Sequence, residues 1–390
     1  MKFRIRHLHF VLLIFMLVIL IAIGVPDTAV ANSTPFNSYQ FSSELNTDSG
    51  VICARENGID PTMSTATWSL TSMEAAQPYP LPQVNSISDI PTTSLQSGTK
   101  PAYLPSIPPI DDKSGEISAI NTFNKSEQSI NGYNYPAPYT RYENFDSYQV
   151  FPYSTIGVLF FTQRGTKYRC SAAVVGEDAL WTAGHCVHDG SSEPEGWSEN
   201  VTFVPAYKNG TEPFAFGHWN DFNLCTRVAW YNNADLRFDI GGVILEPNGS
   251  DQSVQEVVGS LGFAYNLSSN QHWFNIAYPS ESPFDGKTMQ ICAGSFARNA
   301  ASFDFPFPMA MGCDMTPGSS GGAWVINFSS SPGSANYVNG NNSFRISGET
   351  EEIYSPYFGD AAKDLLDFIS TNTKLSTSIH IPLITHSGDK

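Results

Sequence analysis

Cys170-Ser-Ala-Ala-Val-Val-Gly-Glu-Asp-Ala-Leu-Trp-Thr-Ala-Gly-His-Cys186 is the stretch whose reading decides the fold. Apolar residues at Ala172–Val175 and again at Ala179–Trp181 read as short strands. The second run ends in two small residues, Ala183 and Gly184, and His185 follows at once. Cys186 is placed to clip back to Cys170 on the preceding strand, 16 residues earlier. In the chain-entropy model, closing a loop of that size stabilises by about 3 kcal/mol. A lone histidine is more often structural; one held inside Thr-Ala-Gly-His-Cys is a candidate for chemistry.

Working outward, Ile156–Thr162 and Tyr168–Val175 read as a hairpin across the polar Gln163–Lys167. Further runs at 201–204, 240–245, 256–262, 273–277 and 323–327 read as strands separated by Gly, Asn and Pro. Many short strands without helices between them predict an antiparallel sandwich or barrel. Asp360–Ser370 breaks the pattern. Ala361, Leu365, Leu366 and Ile369 share one face at helical spacing, which predicts a C-terminal amphipathic helix.

Hydrolysis of a peptide bond by a serine needs a base for the hydroxyl proton, and an imidazole titrates near neutrality. His185 supplies the imidazole. The nucleophile candidate is Ser320, in Cys313-Asp-Met-Thr-Pro-Gly-Ser-Ser-Gly-Gly-Ala-Trp324. Glycines on both sides permit a tight turn with backbone N–H groups turned outward. Asp239, in Arg237-Phe-Asp-Ile-Gly-Gly-Val-Ile-Leu245, is the acid candidate, with Asp235 as the competitor.

On these motifs, and over about Phe151–Ser370, the chain resembles the chymotrypsin-like serine peptidases, whose chain order is His, Asp, Ser. Phe203-Val-Pro-Ala-Tyr-Lys-Asn-Gly210, Ile276-Ala-Tyr-Pro279, Phe284-Asp-Gly286 and Cys292-Ala-Gly294 narrow the likeness to the glutamyl-endopeptidase (V8-like) and trypsin-like branch. The resemblance implies an all-β fold of two antiparallel six-stranded barrels with a C-terminal helix. It implies His185, Asp239 and Ser320 as a triad, Gly318 and Ser320 as oxyanion donors, and protein or peptide substrates. No cofactor and no metal is expected, since no Cys-x-x-Cys pair or His/Cys cluster suggests one. A catalytically silent binding module on the same fold would show an incomplete triad, whereas all three members are present. A lipase or esterase fails on order, since that fold puts Ser before Asp and His. The pairs expected are Cys170–Cys186 and Cys292–Cys313. Cys53 and Cys225 are left either to join each other or to stay free.

Glutamyl endopeptidases carry a Thr five residues before the nucleophile and a His on a later strand of the pocket. Here Met315 and Asn342 hold those places, with Thr316 beside the first and Ser343 beside the second. Asn342 donates a hydrogen bond without charge, and Arg345 substitutes if its side chain turns inward. Asp314 stands where trypsin has its selecting acid, with a structural role as the alternative. At most a modest preference for Glu before the cut is expected.

The N-terminus reads as an export signal over residues 1–31. Lys2, Arg4 and Arg6 precede a 16-residue apolar run, Phe10–Val25, and then Ala29-Val30-Ala31. The run is short of the ~20 residues that span a bilayer, so membrane contact is expected only in transit. A secreted, extracellular monomer follows, with disulfides favoured. Residues 32–140 are rich in Ser, Thr, Asn and Pro, and predict a loosely ordered propeptide before a peptidase domain at 141–375 and a tail at 376–390. Asn200, Asn209 and Asn327 begin glycosylation signals. A charge of −17, from 37 acids against 20 Lys and Arg, argues against a nucleic-acid partner.

Overall fold

Strands joined by turns pair mainly with their neighbours, and nearly every ladder here is antiparallel. The computed structural model describes residues 41–46, 50–56, 68–86, 96–98, 100–110, 138–144, 147–208 and 215–371. The signal segment, Asn209 and the 376–390 tail lie outside these. Ahead of the main body come β1 (Phe41–Asn46), β2 (Val51–Glu56), β3 (Gln77–Pro78), β4 (Gln83–Val84), β5 (Ala102–Leu104) and β6 (Tyr139–Asn144). The first half of the body holds β7 (Ile156–Gln163), β8 (Thr166–Val174), β9 (Ala179–Thr182), β10 (Glu199–Pro205), β11 (Trp219–Arg227) and β12 (Gly241–Leu245). The second holds β13 (Gly262–Tyr265), β14 (His272–Ala277), β15 (Met289–Asn299), β16 (Met309–Gly312), β17 (Ala323–Ile326), β18 (Tyr337–Asn341), β19 (Arg345–Ile346) and β20 (Glu352–Ser355).

The expected β7–β8 hairpin forms in the register Gln163 opposite Thr166. Its two-residue turn, Arg164-Gly165, has φ of 50° and 76°, the left-handed pair that matches the twist of the strands. From there the ladders run β7–β8–β9–β12–β11–β10 and back to β7, closing a six-stranded barrel whose strand ends at β8 and β11 still offer backbone for pairing. Phe161, Ala172, Leu180, Phe203, Leu224 and Val243 fill it.

The second set of strands makes the other half of the expected all-β body. It runs β20–β16–β15–β14–β17–β18–β13–β5. The chain leaves β18 at Asn341, because Asn342 and Ser343 turn inward to bond other groups, and returns to β20 through a single Phe344–Tyr354 bridge. Trp273, Met311, Trp324 and Ile353 form its core. One expected strand is helical: Ser253 and Glu256 make reciprocal capping bonds, and Val254–Val258 winds before β13 starts at Gly262. The C-terminal helix, Asp360–Thr371, forms as expected. It buries Ala362, Leu365, Leu366 and Ile369, each large side chain worth about 1.5–3 kcal/mol of transfer. A methyl at Gly242 of β12 would sit 2.7 Å from Ile369 Cγ2, so helix and strand meet at van der Waals contact.

The stretch expected to be loosely ordered contributes strands instead. The β1–β2 hairpin extends the first sheet along β11, β5 extends the second along β13, and β6 pairs with β15. Local composition hides this, because each partner strand lies far away in sequence. Cys53 and Cys225 are bonded, as are Cys170–Cys186 and Cys292–Cys313.

Candidate active site

His185 sits in a one-turn helix, Gly184–Val187, at the end of β9. A Cβ on Gly184 would stand 2.9 Å from Asp239 Oδ1 and from the Trp230 ring, so only glycine lets the turn come this close to the acid. Asp239 follows a 3-10 turn at Leu236–Phe238 and precedes β12. Its carboxylate is fully buried. Oδ1 accepts the His185 backbone N–H at 2.8 Å, and Oδ2 faces His185 Nδ1 at 2.7 Å and accepts the Ser343 hydroxyl at 2.5 Å. A buried charge is tolerable only with such a set of donors. Asn341 Nδ2 binds the Asp239 carbonyl, while its Oδ1 accepts from Trp181 Nε1. Asp235 is elsewhere, in an ion pair with Arg237 at 2.6 Å.

Ser320 lies between Gly318 (φ 91°) and Gly321 (φ 77°), both in the left-handed region. A Cβ on Gly318 would come within 2.6 Å of Ser280 Oγ. The Ser171 hydroxyl donates to the Gly318 carbonyl, and the Ser171 N–H to the Ser320 carbonyl, which ties the turn to β8 of the first barrel. Ser320 Oγ and His185 Nε2 are both buried, and neither has a hydrogen-bond partner among the described residues.

The sequence did not point to Tyr79. Its ring stacks on His185, with centroids 5.3 Å apart and planes at 29°. Its hydroxyl donates to Gln163 Oε1 at 2.5 Å, and Gln163 in turn donates to the His185 carbonyl. Its own carbonyl accepts the Gly318 N–H at 3.3 Å. Burial raises the phenol above its ordinary range, with Asp189 adding to the effect, so the ring stays neutral. A Tyr-Pro-Leu-Pro run between loop-like residues offers no sequence signal for this role.

The expected pocket residues divide. Met315 is buried beside Cys313 in the second core. Asn342 is committed to the scaffold: its Oδ1 accepts from Asn275 and Trp324, and its Nδ2 donates to the Ser319 carbonyl. Ser343, expected on the pocket, serves Asp239 instead, because its hydroxyl satisfies the buried carboxylate. Thr316 is bonded to Glu281 of an exposed loop, and Asp314 pairs with Arg141 of β6 at 3.1 Å. Arg345 does turn inward. Its guanidinium donates to the carbonyls of Cys313 at 3.0 Å and Met315 at 2.5 Å, and its Nε has no partner among the described residues. Burial pulls its pKa down to about 10, against the opposing field of Asp314.

No family model matches the chain. The crystal structure of protease Anisep from Arthrobacter nicotinovorans is 31% identical, with 56% of this chain and 96% of that one covered at a TM-score of 0.51. This chain belongs to the chymotrypsin-fold serine proteases. A thermostable serine protease, AL20, from an extremophilic microorganism gives the same identity and TM-score over 56% of the present protease and 98% of its own length. An extracellular metalloprotease of Bacillus subtilis is 28% identical over 122 residues. The protease spans about a third (36%) of the length of that curated relative. Metal ligation does not fit the described residues of the present protease. Their two ligand clusters, Cys170–His185–Cys186 and Cys292–Cys313–Asp314, are each built on a disulfide, and a bonded sulfur is no thiolate.

Proposed function

We propose that this serine endopeptidase is exported and works through His185, Asp239 and Ser320, on protein or peptide substrates and as a monomer. The Ser320 hydroxyl attacks the carbonyl carbon and forms an acyl-enzyme. His185 Nε2 takes the hydroxyl proton and hands it to the leaving amine, then repeats the cycle with water. Asp239 fixes the tautomer with the proton on Nδ1 and stabilises the imidazolium. The N–H groups of Gly318 and Ser320 hold the oxyanion, each such donor being worth about 10²–10³ in rate. The observation that carries the reading is the buried Asp239 carboxylate. It accepts both N–H groups of His185 and has the Ser343 hydroxyl as its third donor. Ser320→Ala and His185→Ala should each abolish hydrolysis of a peptide substrate, and the double variant should lose no more than either alone. Ordinary activity in Ser320→Ala would overturn the assignment.

Export is supported by three disulfides and by the extracellular relative. Residues 32 to about 137 act as a propeptide. The cut falls before Pro138, because β6 is paired along its length with β15 and its Arg141 holds Asp314. Activation proceeds by uncovering the site, since Ser319 gives a new N-terminus no carboxylate to pair with. In the pocket, Arg345 is the cation that faces an acidic side chain before the cut. With Asn342 already bonded, it gives a modest preference for Glu. Matched substrates with Glu and Gln should differ about tenfold in kcat/KM, near 1.4 kcal/mol, and Arg345→Met should erase the difference. Equal rates in the wild type would remove this role.

A further inference from the structure

We propose that the catalytic cleft is also a binding site for the chain's own segment Gln77–Val84, which lies in it backwards relative to a substrate and therefore blocks it without being cut. This rests on the assignment of His185, Ser320 and the Gly318 oxyanion donor above.

The contacts run the length of the cleft. At one end β3 pairs in parallel with β8, Gln77 opposite Tyr168, and the Tyr79 N–H donates to the Arg169 carbonyl. In the middle the Tyr79 ring covers His185, while its carbonyl takes the N–H of Gly318. At the other end Leu81 joins the apolar cluster that holds Met315 and Cys313. The Pro82 carbonyl accepts the Arg345 N–H, the Val84 carbonyl accepts the Ser347 N–H, and β4 runs parallel to β19.

Direction decides what this occupancy does. With a carbonyl in the oxyanion hole, the residue that owns it must put its side chain in the specificity pocket, and the chain after it must leave past the histidine. That is where the imidazolium delivers its proton to the departing nitrogen. Here the order is inverted. The side chain of Tyr79 and the residues before it lie along His185 and β8. The chain after the carbonyl, Pro80–Val84, lies along the pocket wall at Met315 and Arg345. The leaving nitrogen would be that of Pro80, on the side away from the acid that must protonate it. The segment thus satisfies the cleft's backbone donors and covers the base, yet presents no bond in a reactive geometry. Its anchors in the cleft are a few backbone bonds, one stacked ring and one buried leucine; after a cut before Pro138 the segment stays joined to the body through Cys53–Cys225, so it leaves the cleft only as far as that tether allows.

The full chain tests this in two ways. Hydrogen exchange in Ser320→Ala, which needs no activity, should show the amides of Tyr79, Gly318 and Arg345 protected. Tyr79→Ala in that background should speed exchange at Gly318 and Arg345 at least tenfold. Unprotected amides in the parent, or no change on substitution, would overturn the proposal. In the active background, Pro80→Ala removes the proline that could by itself protect the bond. Mass spectrometry of the intact chain should still find no cut between residues 79 and 80, and a cut there would show the substrate direction and overturn it. Failure of the underlying triad reading looks different: a serine-directed phosphonate would leave Ser320 unlabelled even in protease freed of residues 32–137, while the exchange protection of the full chain stands.

Discussion

The body of the protease and the segment that precedes it are both built from strands, but different forces hold them. In the first barrel each strand has a partner on both sides, and the inward side chains form one apolar core. The preceding segment adds to edges: β2 on β11, β3 on β8, β4 on β19 and β5 on β13. Its bonds are mostly backbone to backbone. Of its described side chains, Val51, Ile52, Cys53, Ala54, Met73, Ala76 and Leu81 are buried in the apolar clusters, so β2 packs into the body while Gln77–Val84 is held mostly by its backbone. A net backbone hydrogen bond is worth only about 1 kcal/mol, whereas a buried leucine deleted from a packed core costs about 2–5 kcal/mol.

The sharpest contrast is in catalysis. Asp239→Asn keeps the shape of the buried acid but loses its charge and its choice of tautomer. kcat should fall by about 10⁴ while the fold survives, as checked by peptide hydrolysis beside circular dichroism. Gly318→Ala comes next. It forces a side chain into a left-handed residue and against Ser280 Oγ, and displaces one oxyanion donor. A loss of about 10²–10³ in kcat is expected, with a smaller change in KM.

Disulfides separate the two regions thermally. Replacing Cys170 and Cys186 by Ala should cost the body about 3 kcal/mol, a fall of roughly 6–12 °C in Tm at this domain size. The Cys53–Cys225 bond closes a long loop only while the chain is whole. If the chain is cut before Pro138 as proposed, the bond joins two chains and closes no loop within the barrel. Its selective reduction should release a fragment on a gel and move Tm by less than about 2 °C. An equal fall for both would mean that the hairpin is part of the body.

The smallest effect concerns Asp178, between β8 and β9. Burial, with Glu177 and Glu256 adding, pushes its pKa up to about 6, and its Oδ1 has no partner among the described residues. The folded state therefore prefers the protonated acid. That preference is fully present below the unfolded pKa near 4 and is lost as pH rises through about 6. Asp178→Asn should flatten the fall in Tm between pH 4 and pH 6 by a few degrees at most. An unchanged slope would remove the group from the account.

The sequence made the body legible because its signals are local. Small residues ahead of His185, glycines around Ser320 and the apolar run after Asp239 each fit within a dozen positions. The contacts of Gln77–Val84 are not legible, since it bonds to residues near 169, 318 and 345, and its own sequence, with three prolines, gives no sign of them. By their place relative to the family motif Asn342 and Ser343 read as pocket residues; only packing shows one bonded to Trp324 and Asn275 and the other to Asp239. Arg345 was legible as a candidate, but its inward turn depends on the two carbonyls it finds there.

The measurement that tests the central claim most directly is the mapping of a phosphonate adduct on the activated protease by peptide mass spectrometry. The account predicts one adduct, on Ser320, and its loss in His185→Ala. An adduct on Ser319 or any other residue, or unchanged labelling without the imidazole, would contradict it.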